Sequence, residues 1–168
     1  MTIKDSFSAV EWAILTELPV RAVACAITVD PGSGIGAIIE EVTGLTQLSQ
    51  GAMQRPESEL VQAVFAEYKE NGEGEAKTLE LSQQGVANLI PETLILARQV
   101  ALLLTTRVEE TEAEAFKGWL LETAEAVCAS AKTGGGILGI GGQRVSDAEA
   151  EFLNNLDAAF SLQQEPES

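Results

Sequence analysis

Apolar residues recur along this chain at steps of three and four, the period of a helix with one buried face. Val10, Ile14, Leu15 and Leu18 form a first stripe, and Ser8 with Glu11 has the S-x-x-E spacing that caps a helix start. Pro19 lacks an N–H and is expected to kink or break that helix. Val20, Val23, Ala24 and Ile27 then read as a second stripe ending at Asp30-Pro31-Gly32. Ile35, Ile38, Ile39, Val42 and Leu45 make a third, in which Gly36 and Gly44 each cost ~1 kcal/mol against Ala. Pro56, with Glu57 and Glu59 behind it, opens a helix whose face is Leu60, Val61, Val64, Phe65 and Tyr68.

A short helical piece is expected over Leu79 to Leu89, closed by Pro91. Glu92 to about Val108 is the most apolar helix, with Leu94, Ile95, Leu96, Ala97 and Val100 to Leu104 around almost its whole girth. Such a helix belongs at the centre of a bundle. Thr111 and Glu114 have capping-box spacing before Phe116, Leu120 and Val127. Ser146 and Glu149 repeat that spacing before Phe152, Leu153, Leu156 and Phe160. No segment alternates as a strand does. The chain therefore reads as all-α, a single-domain bundle of six to eight helices over 1–168, ordered from about 6 to 162, with a polar tail at 163–168.

Composition supports a packed core, with 45% apolar residues in 168 and only 5% aromatic, so aliphatic side chains must build it. Charge narrows the partners. Twenty-six acids against 10 bases give −16, and the bases are scattered. Nucleic acid and anionic membrane surfaces are polyanionic and need clustered bases, so neither is an expected partner. No basic segment precedes an apolar run, so a cytoplasmic location is the expectation.

Histidine is absent, which excludes Ser-His and Cys-His nucleophile pairs and His-ligated metals. Cys25 and Cys128 lie in apolar, Ala-rich surroundings and read as small buried hydrophobes.

Two loops could bear chemistry. Gly134 to Gly139 spells G-x-G-x-x-G, but the dinucleotide motif needs a preceding strand and here a helix precedes it. It reads as a helix connection. Beside it, Arg144 and the free N–H groups at the Ser146 helix start could hold a small anion. In the other loop, Asp30 and Glu41 are spaced as the first and twelfth ligands of a calcium loop, with Glu40 adjacent. Gly32 and Gly34 replace the intermediate ligands, which rejects an EF-hand. An oxygen-ligated divalent cation at Asp30, Glu40 and Glu41 remains, against the plainer reading of an Asp-Pro-Gly turn followed by solvated glutamates.

Both loops follow a Cys-bearing, Ala-rich helix and lead to a helix with an early Glu, which is a loose internal repeat. Two Ala-rich helices of similar composition would look the same. The repeated unit, together with Val145-Ser146-Asp147-Ala148-Glu149-Ala150-Glu151-Phe152-Leu153, resembles the tellurite-resistance B-type proteins and related bacterial helical proteins. The resemblance spans about 18–48 and 117–162. It implies a helical bundle, with a divalent-metal or stress-response role for which Asp30, Glu40 and Glu41 carry over. The second unit departs from that pattern with Lys132-Thr133 where Asp is wanted.

The first functional reading is thus a non-catalytic helical protein that binds divalent cations. The alternative is an interaction scaffold or homodimer without a ligand, using a face left by the Leu94–Leu104 helix. An enzyme built on a carboxylate pair is the third. No catalytic residue and no organic cofactor is indicated.

Overall fold

Ser8 starts the bundle as the sequence suggests. Its hydroxyl accepts the Glu11 N–H at 3.3 Å, and its own N–H donates to the Glu11 carboxylate at 2.7 Å. A computed structural model of the protein describes residues 2–29, 36–71, 77, 80–81, 86–130 and 145–161, with backbone alone at 36–43, 71 and 86. The described residues form a short 3-10 helix, Ile3–Ser6, and six α-helices. These are α1 (Ala9–Thr28), α2 (Gly36–Met53), α3 (Glu59–Asn71), α4 (Val86–Arg107), α5 (Glu110–Ser130) and α6 (Asp147–Ser161). No strand occurs among the described residues. The architecture is an all-helical bundle, in line with the expected six to eight helices.

Four expectations are corrected. Pro19 does not divide the first helical region; α1 runs through it, and Pro19 is buried. Proline removes the N–H that would bond the Leu15 carbonyl. On the neighbouring carbonyl, that of Thr16, α3 supplies a donor in the Tyr68 hydroxyl. Pro91 likewise lies inside α4, which begins at Val86. Thr111 is not a cap, because α5 starts at Glu110, with the Ala113 N–H bonded to the Glu109 carbonyl at 3.0 Å. Val10 is 71% exposed, so the face that α1 buries in its first half is Trp12, Leu15 and Leu18.

The centre of the bundle also differs from expectation. From Leu18 to Ile27 every residue of α1 except Arg21 is buried. That half of α1 packs on α2, α4 and α5 at once. Its Ala and Val side chains are small enough to let several helices approach. α4 packs on α1 and α6 and keeps one face in solvent.

Among the described helices the most extensive seam is α2 against α5. Gly44 and Gly51, seven residues apart, share a face of α2. A Cβ on Gly44 would lie 2.3 Å from Val23 Cγ1, and one on Gly51 would lie 2.6 Å from Trp119 Cδ1. The glycines that weaken α2 as an isolated helix therefore permit its approach to α1 and α5. Trp119, fully buried, donates its indole N–H to the Leu48 carbonyl at 3.0 Å.

Candidate functional site

The sequence-based site residues fall unevenly on the described structure. Asp30 and Arg144 lie outside the described residues, as does the Gly134–Gly142 loop. Glu40 and Glu41 lie in the first half of α2, where only the backbone is described. Ser146 is engaged locally. Its N–H donates to the Glu149 carboxylate at 2.6 Å, and its hydroxyl accepts the Glu149 N–H at 3.2 Å. The capping box is thus present, and it occupies the Ser146 and Glu149 N–H groups that an anion would use. Among the described residues, no group of three or more Asp, Glu or Cys is placed to hold a metal ion.

Among the carboxylates that converge, Glu112 is engaged in structure. A shallow groove of about 490 Å³ opens where the 3-10 helix meets the ends of α3, α4 and α5, and Glu59, Glu109, Glu112 and Arg107 line it. Glu112 accepts the Ser58 hydroxyl at 2.6 Å and the Glu59 and Leu60 N–H groups at 3.1 Å. It is a cap for α3 supplied from another helix, placed where the helix dipole favours an anion. Arg107 holds Glu11 at 2.7 Å. With Ser8, that contact draws the Glu11 carboxyl down to about 2. Sequence spacing alone gives no sign of the Glu112 cap, because its partners are 52 to 54 residues away.

Cys25 is fully buried, and its thiol donates to the Thr93 hydroxyl at 3.3 Å. Burial pushes that thiol up to about 12, outweighing the Thr93 bond, which acts the other way. A thiolate is the reactive form, so Cys25 is chemically quiet. Cys128 is equally buried, and neither cysteine is in a disulfide.

The distinctive surface lies on α4. Leu89, Ala97, Val100, Ala101 and Leu104 face the core, while Ile95 is 53% and Leu102 63% exposed. These two are seven residues apart, so they stand on one side of the helix, with exposed Arg98 and Gln99 between them. Within residues 87–107 an 18-residue window has mean hydropathy 1.4, long and apolar enough by composition to cross a membrane, with 33% of that window buried in the bundle. Two large apolar side chains aligned on so apolar a helix differ from singly scattered ones, which need no explanation. α4 also carries one acid, Glu92, against two bases, Arg98 and Arg107. By contrast α5 bears Glu110, Glu112, Glu114, Glu122 and Glu125 against Lys117 alone.

No family model matches the chain, and neither a curated protein nor a solved structure matches it.

Proposed function

We propose that this chain is a non-catalytic binding protein whose working surface is the solvent-facing side of α4. The observation that carries the reading is the exposed pair Ile95 and Leu102 on a helix otherwise apolar enough for a core. Burying each against a partner contributes ~1–2 kcal/mol at about 25 cal/mol per Å² of apolar area. The engagement of Glu112, Glu11 and Ser146 in caps and ion pairs supports the same reading, since it leaves those groups little chemistry to perform.

A photo-crosslinking residue, benzoylphenylalanine, placed at Leu102 tests this in cells. A light-dependent adduct of discrete mass is expected there and not at Asp157, an exposed position on α6. Equal labelling at both positions, or none at either, overturns the proposal.

A further inference from the structure

The exposed stripe of α4 has an order of its own. Glu92, Ile95 and Arg98 follow at three-residue steps and stand side by side on the helix surface, all exposed. Arg98 forms no ion pair with another described residue. Glu92 is 56% exposed and reaches Arg21 only at 3.5 Å, while Arg21 is held more closely by Glu17 at 2.7 Å. Acid, apolar residue and base at equal spacing read the same when the helix is reversed and its charges are exchanged.

Resting on the proposal that α4 is the binding surface, we infer that its partner is a second copy of this chain, with the two α4 helices packed antiparallel. A two-fold axis at Ile95 sets Ile95 on the partner's Ile95. The same axis brings Glu92 against the partner's Arg98, and Arg98 against the partner's Glu92. Leu102 then covers the start of the opposite helix. The contact closes at two copies because each uses the same patch.

Charge selects this face over the others. Two chains of −16 repel over most of their surface, and α5 and α6 would meet acid with acid. On α4 the repulsion is replaced by two reciprocal attractions. The patch is small, with two large exposed apolar side chains per copy, well short of the roughly 800 Å² per partner that a stable interface buries. The association is therefore weak and concentration-dependent.

Sedimentation equilibrium of the full chain across a dilution series tests the inference. The native chain is expected to pass from dimer to monomer on dilution. Arg98→Glu sets acid against acid twice and should weaken the dimer by roughly tenfold or more. The double variant Glu92→Arg with Arg98→Glu exchanges both charges and should restore it to within about threefold of the native value. Ile95→Glu, at an exposed site where folding tolerates it, should abolish the dimer, with circular dichroism verifying the helix content of each variant.

A chain monomeric at every concentration overturns the inference, as does a dimer indifferent to Arg98→Glu or one that the double variant fails to restore. Co-sedimentation of the monomer with phosphatidylglycerol vesicles would assign the face to lipid instead. A monomer that still gives a Leu102 adduct with another protein in cells would refute the second copy while leaving the binding surface standing.

Discussion

Gly51 of α2 lies directly beneath the indole of Trp119 on α5, so close that a Cβ at Gly51 would sit 2.6 Å from Trp119 Cδ1 and 3.0 Å from Nε1. The same indole N–H holds the Leu48 carbonyl one turn earlier on α2. Displacing the ring therefore loses a buried hydrogen bond as well as packing. Gly51→Ala should destabilise the protein by ~1–3 kcal/mol, overcoming the ~1 kcal/mol that Ala gains as a helix former. Gly118→Ala is the control, since a Cβ there meets only Arg55 Nη2 at 3.4 Å. It should be neutral or stabilising by up to ~1 kcal/mol. Urea unfolding of both variants decides the matter, and equal effects would contradict the seam.

Glu112 is the second testable joint. Glu112→Ala leaves the Ser58 hydroxyl and two α3 N–H groups without their acceptor, and should cost ~1–2 kcal/mol by urea unfolding. Ser58→Ala removes the other cap on Val61 along with one of those bonds, and should cost ~1 kcal/mol. The pair should be less than additive, because Ser58 and Glu112 share a bond.

Stability should fall in acid, with the sign set by the lowered carboxyls. Glu11, drawn to about 2 by the Ser8 N–H and Arg107, and Glu67, lowered by Lys4 and Trp12, are both more acidic when folded than unfolded. Their contribution is complete above the ordinary value near 4.5 and is lost as pH falls through the folded one. Glu11→Gln should flatten the acid limb of a melting-temperature profile between pH 4.5 and 2, and an unchanged limb would remove Glu11 from the cause. Cys25 acts at the other end. Its raised thiol contributes fully below about 9 and loses that contribution as pH climbs toward 12.

Both thiols should resist an aromatic disulfide reagent in the native state. Cys25 and Cys128 are 0% exposed, so labelling should proceed at the rate of opening and jump when urea unfolds the chain. Rapid labelling of either thiol without denaturant would contradict its burial.

The helices, most of their buried faces and the capping boxes at Ser8 and Ser146 are legible because each depends on residues within one or two turns. Ser8 with Glu11 and Ser146 with Glu149 need nothing beyond their own helix. Two of the differences depend on how helices pack on one another. Pro19 reads as a break because it removes the N–H for the Leu15 carbonyl, yet α1 runs through it with Leu18, Pro19 and Val20 all buried against the rest of the bundle. α4 looked central because its composition is apolar on most sides; α1 takes that place through small side chains that admit several neighbours. The candidate site is less legible: Asp30 and Arg144 lie outside the described residues, and the pattern of apolar residues on α4 does not separate the exposed Ile95 and Leu102 from their buried neighbours.

The cap that Glu112 places on α3 has a consequence for synthesis. The chain is made from its N-terminus, and Ser58 leaves the ribosome 54 residues ahead of the carboxylate that completes its helix start. For that interval α3 has only its own Ser58 hydroxyl on the Val61 N–H. The beginning of α3 is thus fastened late, and a chain stalled before α5 emerges would carry a frayed helix start, one that folding helpers and proteases could tell apart from the finished protein.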